Sequence, residues 1–192
     1  MRHLFFRLFL ILMVVACHPK AESIIYGQMP DSSFNGEQIY LVPLFNATAN
    51  RVDSCTIQQG QFKLKGIADP QEVYIIRPKP LLRLKVQELL VVKEPGEIYV
   101  EMGLSSFVSG TSTNDSLQAW KEQKEALDQQ VYDLQVKKYN LPDSLQTTIV
   151  NQLDSLISAR KSYHDLTAEQ NKNNALGKML RRMLNQTEHL PN

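Results

Sequence analysis

The sequence predicts an α+β protein: an N-terminal antiparallel β-sandwich or partly open barrel, followed by a C-terminal α-helical hairpin. Two changes of pattern carry this expectation. From Ser23 to about Gly110, apolar residues alternate with period two in short runs separated by turn residues. From about Thr113 they recur every three or four residues instead. A third observation precedes both. The N-terminus runs basic, then apolar, then small, the order of a secretory signal peptide. The chain divides accordingly into 1–16, a signal peptide; 17–22, a lipidated tether; 23–111, a β domain; and 112–192, a helical region.

In the leading segment "MRHLFFR" supplies Arg2 and Arg7, "LFLILMVV" the apolar core, and Ala16 the small residue ahead of Cys17. The run from Leu4 to Ala16 is interrupted by Arg7 and falls short of the ~20 residues a spanning helix needs. A buried N-terminal helix is the alternative. "VVAC" (Val14 to Cys17) resembles the bacterial lipobox, with Val14 where leucine is usual. The resemblance implies that Cys17 becomes the first residue of the mature chain and carries thioether-linked diacyl and usually an N-acyl group. Each buried CH2 contributes about 0.8 kcal/mol, so two or more acyl chains hold a protein stably on a membrane. Loss of Arg2 and Arg7 leaves 19 basic against 20 acidic side chains. With Cys17 acylated, Cys55 has no partner for an internal disulfide, and no C-x-x-C is present. In "RVDSCTIQ" a lone thiol reads as a small apolar filler; a redox or intermolecular role is the alternative.

The strand candidates are "SIIYGQM", "EQIYLVPLF", "RVDSCTIQ", "GQFKLKG", "EVYIIRP", "ELLVVK", "EIYVEM" and "SSFVSG", rich in β-branched and aromatic residues. In "GQFKLKG", Phe62 and Leu64 face one way, and Gln61, Lys63 and Lys65 the other. Turns are expected at Asn35-Gly36, Gly60 and Pro95-Gly96, so that neighbouring strands pair as antiparallel hairpins. Pro43 and Pro78 belong at strand edges or ends, because proline cannot donate to a ladder.

The first helix is expected over "TNDSLQAWKEQKEALDQQVYDLQVKKYN", with Asn114 or Asp115 near its N-cap. Its seam reads Leu117, Trp120, Lys124, Leu127, Val131, Leu134 and Lys138. Pro142 ends it, and Asp143 with Gln146 forms a capping box for the next. The second seam reads Leu145, Ile149, Gln152, Leu156, Ala159, Tyr163 and Leu166, giving an antiparallel helical hairpin. A third helix at "NNALGKMLRRMLNQ" carries Leu176, Met179, Leu180, Met183 and Leu184 on one stripe. It packs on the hairpin or, through Arg181 and Arg182, lies on a membrane surface.

Several function classes drop out. A hydrophobic fraction of 43% suits globular units, and a net charge of +1 argues against a polyanion-binding surface, so no nucleic-acid partner is expected. No glycine-rich phosphate loop occurs, and His3, His18, His164 and His189 are too scattered for a metal site. No catalytic residue, cofactor or metal is therefore expected, and the chain reads as a non-enzyme. "Asp-Ser-Leu" recurs at 115–117, 143–145 and 154–156 and resembles the Asp-Ser/Thr-aliphatic sequon for periplasmic O-glycosylation. Ser116, Ser144 and Ser155 are thus candidate glycosylation sites, although Asp and Ser are also ordinary N-cap residues. Trp120, Tyr132, Tyr139 and Tyr163 form either a ligand-stacking strip or, on the better reading, part of the helical core.

A set of short motifs in the β region carries a family resemblance. Asp53-Ser54 precedes a strand, Gly60-Gln61-Phe62 leads to Gly66, Glu94-Pro95-Gly96 makes a turn, and Gly110-Thr111 with Asn114 steps into a helix. From about residue 23 to 125 the chain resembles domain-of-unknown-function family 4369, common in lipoproteins of the Bacteroidota. In many relatives this domain and a helical segment precede a thioredoxin-like, peroxiredoxin-type domain bearing redox cysteines. "AEQNKNNALGKML" resembles the Asn-x-x-Asn-x-x-Gly helix near that junction, and the sequence ends about a dozen residues later. The thioredoxin-like domain is accordingly expected to be absent, and Cys55 belongs to the β domain. The stretch "CHPKAES" lacks the acidic run that resembles a surface-export signal in that group. The expectation is a lipid-anchored protein of the outer membrane, facing the periplasm, with a non-catalytic binding or scaffolding role toward an envelope protein or an extracytoplasmic ligand. The alternative is an accessory or remnant of a thioredoxin-like thiol-disulfide system.

Overall fold

The computed structural model describes residues 21–82, 84–142 and 145–187. The expected signal peptide, Cys17, Asp143, Ser144 and His189 lie outside the described residues. Eight strands come first: β1 (Glu22–Gln28), β2 (Gln38–Pro43), β3 (Asp53–Thr56), β4 (Gln61–Ile67), β5 (Asp69–Pro78), β6 (Leu89–Lys93), β7 (Gly96–Glu101) and β8 (Phe107–Ser109). Three helices follow: α1 (Ser112–Tyr139), α2 (Gln146–Gln170) and α3 (Ala175–Thr187).

The strands form two open four-stranded sheets, in the orders β4-β1-β7-β8 and β3-β2-β5-β6, so the β region is a sandwich and not a closed barrel. Pro43 and Pro78 end β2 and β5, as their missing N–H requires. One pairing departs from the expected hairpins. β1 and β7 run parallel, with Ser23 opposite Gly96 and Gln28 opposite Glu101. The turns at Asn35-Gly36, Gly60 and Pro95-Gly96 do not close hairpins within a sheet; they carry the chain from one sheet to the other. Gly60 (φ +71°) accomplishes this in a left-handed conformation, with its N–H donated to Asn35 Oδ1 at 2.8 Å.

The run Leu89–Val92 is apolar without alternation because both faces of its strand are buried. Leu89 and Val91 join the core between the sheets, with Ile25, Ile39, Ile76 and Ile98. Leu90 and Val92 face outward with Val73 and pack on Trp120, Leu176, Met179 and Leu180 from the helices. The second sheet is therefore covered on both sides. The helical region shares a core with it.

α1 begins at Ser112 after Thr111, not at Asn114 or Asp115 as expected from the sequence, because its first turn is capped from elsewhere. Its expected seam holds at Leu117, Trp120, Leu127 and Val131, all buried. On α2 the seam is shifted. Ile149 and Leu153 are buried, whereas Leu145 and Leu166 are 60% and 56% exposed. Gln146 donates to the Leu141 carbonyl at 2.8 Å across the break. α3 packs on β5 and the other two helices. Arg182 lies over the Phe45 ring at 3.9 Å and Arg181 donates to the Lys172 carbonyl.

The direction of α1 follows from its contacts. Its first turn meets Glu94, at the end of the sandwich where β1 starts beside Gly96. It then passes Val108, Ser106 and finally Gln87, which donates to Glu125 at 3.3 Å near the opposite end. From there to Tyr139 the helix continues about 21 Å at 1.5 Å per residue, packing on α2 around Val131, Ile149 and Leu153.

Candidate functional site at the sheet–helix junction and the helix cavity

A sheet edge exposes N–H and C=O groups that must find partners when covered. β6 and β8 are edges of the two sheets, and α1 supplies partners to both. Asn114, fully buried, accepts from Val92 N–H and donates to Val92 C=O, each at 2.8 Å. One turn later Gln118 Oε1 accepts from Val108 N–H at 3.1 Å. Glu94 reaches across to the helix start. It accepts from Thr113 N–H at 2.8 Å and Thr113 Oγ1 at 2.7 Å, occupying the place of an N-cap side chain. The Glu-Pro-Gly turn and the Gly-Thr-x-x-Asn step are thus two halves of one joint.

A second joint lies between α2 and α3. Asn171 Nδ2 donates to the Thr167 carbonyl, Asn174 Nδ2 to Asn171 Oδ1, and Gly177 N–H to Asn174 Oδ1. A Cβ on Gly177 would lie 2.2 Å from the Asn171 carbonyl oxygen, so only glycine allows the helix to start this close to the preceding turn. The Asn-x-x-Asn-x-x-Gly spacing encodes this corner.

Where all three helices meet there is a cavity of about 450 Å³. Lys124 and Asp128 come from α1, Ile157, Arg160, Lys161 and His164 from α2, and Leu184 from α3. Asp128 pairs with Lys124 and with Arg160 Nη1, the latter at 2.8 Å. Burial raises the Asp128 pKa, but these two bonds outweigh it and hold the carboxyl below its ordinary range. His164 is pushed down, first by burial and then by the positive charge of Lys124 and Arg160. Its ring stands edge-on to Trp120 at 5.7 Å, and His164 Nε2 and Trp120 Nε1 are both enclosed without a hydrogen-bond partner among the described residues. A longer groove of about 740 Å³ runs between α1 and α2, past Asp133, Asn151 and Ser155.

With these joints in view, the sequence can be set against known families. Residues 24–117 match the family described as Domain of unknown function (DUF4369). The β region is similar to the DUF4369 family over that span. The match ends at Leu117, three residues past Asn114, so the matched span includes Glu94 and Asn114 and stops just before Gln118. No curated protein and no solved structure matches the chain.

The residues singled out from the sequence fall in different places around the DUF4369-like sandwich. Cys17 and Ser144 lie outside the described residues. Ser116 donates to the Ser112 carbonyl at 2.9 Å within α1, and Ser155 is exposed in the α1–α2 groove. They are on different helices and do not converge. Cys55 is half-buried against the sandwich core opposite Ile39, and burial pushes its thiol pKa up. The four aromatic residues separate into two pairs. Trp120 and Tyr163 pack in the helical core, while Tyr132 and Tyr139 are 60% and 89% exposed, contrary to the core-packing expectation for the set. Lys124, read from sequence as a seam member, belongs to the charged cavity. The one local signal toward that cavity is the i,i+4 pair of Lys124 and Asp128 on α1. Among the described residues, no group of His, Cys, Asp and Glu could hold a metal ion, and no helix is long and apolar enough to cross a membrane.

Proposed function

We propose that the chain is a lipid-anchored protein of the cell envelope, facing the periplasm from the outer membrane. In this reading the DUF4369-like sandwich holds the helical hairpin out as a non-catalytic binding or scaffolding arm. The observation that carries the reading is the direction and fixation of α1. Asn114, Gln118 and Glu94 tie the helix to both sheets at the end where β1 starts, and the helix leaves the sandwich at the opposite end, beyond Gln87. An anchor at Cys17, five residues before Glu22, would hold the first end near the membrane. The exposed Tyr132, Val136 and Tyr139, at i, i+4 and i+7, would then point away from it along one helix face. Aromatic residues are favoured anchors at protein contacts.

Two measurements test this. Mass spectrometry of the mature protein should find a diacylglyceryl group on Cys17; an unmodified cysteine sinks the anchor. A photo-crosslinking residue at Tyr139 should capture a discrete envelope protein in intact cells, whereas one at Lys65, on the outer face of the sandwich, should not. Equal labelling from both positions sinks the arm. The redox alternative depends on Cys55. A thiol with a raised pKa is a poor nucleophile, so Cys55 should react with a maleimide at least tenfold more slowly in the folded protein than in urea.

A further inference from the structure

We propose that the half-open cavity between α1, α2 and α3 binds a small anion with an alkyl portion, a carboxylate or a phosphate monoester. Three cationic side chains, Lys124, Arg160 and Lys161, meet there against the single carboxylate of Asp128. Asp128 already bonds Lys124 and Arg160 Nη1, while Lys161 forms no ion pair among the described residues. A guanidinium carries five N–H donors in a fork that suits carboxylate and phosphate oxygens, so Arg160 can hold a second acceptor beside Asp128. The cluster is unlike an exposed ion pair such as Lys172–Glu169, because Ile157 and Leu184 supply apolar walls beside the charges. A volume of about 450 Å³ falls within the range of small-molecule pockets, in which apolar walls and a few converging polar groups combine.

The second line of support is His164. Its Nε2 is enclosed without a partner among the described residues, and buried polar atoms in this condition call for an explanation. An anion between Arg160 and Lys161 would sit beside this ring, although Nε2 itself is closed to solvent. It would also offset the positive field of Lys124 and Arg160, which with burial now disfavours the imidazolium. The other charges facing the ring are Asp128 and Asp165. The larger α1–α2 groove lacks this convergence, since Asp133 is the one charged residue along it.

The site goes beyond the anchored-arm reading and does not depend on it. An unmodified Cys17 would remove the anchor and leave the following results unchanged. The full chain, labelled with 15N at histidine, is titrated with hexanoate, hexyl phosphate and acetate at constant ionic strength set with chloride; His164→Gln assigns the signal. Hexanoate or hexyl phosphate should move the His164 resonances saturably and raise the apparent pKa of His164, and acetate should bind at least tenfold more weakly. Lys161→Glu, a change at an exposed side chain, should weaken binding at least fivefold, and Asp128→Asn should tighten it by removing the internal competitor. The proposal is overturned if neither alkyl anion moves His164 more than chloride does. Binding that is unaffected by Lys161→Glu, or acetate binding as tightly as hexanoate, overturns it equally.

Discussion

Asn114 and Val92 are joined in both directions: the side-chain amide of one accepts from and donates to the backbone of the other, each at 2.8 Å. The residues are 22 positions apart, and the bridge closes the outer edge of β6. Replacing Asn114 by Leu would leave the buried Val92 N–H without a partner, while the Val92 C=O would keep the Glu94 N–H at 2.8 Å. The expected loss is about 1–3 kcal/mol, the cost of one orphaned buried group. Urea unfolding measures it; a loss below about 0.5 kcal/mol, ordinary for a surface change, would show that the bridge supports little.

Gly177 should invert the usual helix rule. In an exposed helix interior, glycine to alanine gains about 1 kcal/mol. Here the new Cβ would lie 2.2 Å from the Asn171 carbonyl oxygen and 2.8 Å from that of Ala168. Gly177→Ala is expected to destabilise by about 1–3 kcal/mol, as overpacking does. Because Trp120 shares a core with Leu176, Met179 and Leu180, displacement of α3 should also change the Trp120 fluorescence. A more stable Gly177→Ala protein with unchanged emission would refute the steric account.

Stability should fall at alkaline pH through Tyr74. Burial first, and then its hydrogen bond to Asp69 at 2.9 Å, push the phenol from its ordinary value of 10.0 up to about 12. The folded state therefore keeps a proton that the unfolded chain releases. The contribution is fully present below the unfolded pKa of about 10 and is lost as pH rises through the folded value. Between pH 9 and 11.5 the wild type should lose more stability than Tyr74→Phe, which lacks the ionising group. Parallel stability curves for the two proteins would remove Tyr74 as the cause.

The strands were legible because each carries its own instruction. Phe62 and Leu64 alternate with lysines, and Pro43 and Pro78 mark strand ends. The parallel partnership of β1 and β7 was not, since a local turn signal cannot say whether the next strand stays in its sheet. On α2 two seams share Ile149, Leu156 and Tyr163 and differ at the positions between. Leu153 and Thr167 are buried where Gln152 and Leu166 were expected. Periodicity alone does not separate them; packing against both α1 and α3 does. The helix start was misplaced for a related reason, because Glu94, which caps it, lies 19 residues before Thr113. The charged cavity was hidden similarly. Its residues are ordinary helix-surface charges in sequence and become neighbours only when three helices meet.

The seating of α1 on two sheet edges has a consequence for synthesis. When Ser109 leaves the ribosome all eight strands exist, yet β6 and β8 still show bare edges, and the side chains that cover them are five and nine residues behind. For that interval the nascent sandwich offers two templates for intermolecular strand addition. A chain stopped at Gly110 should therefore aggregate with every strand intact, while one extended through Glu125 should remain dispersed. The beginning of α1 serves as the closing seam along β6 and β8, so the helix that reaches outward also covers the sheet edges it leaves behind.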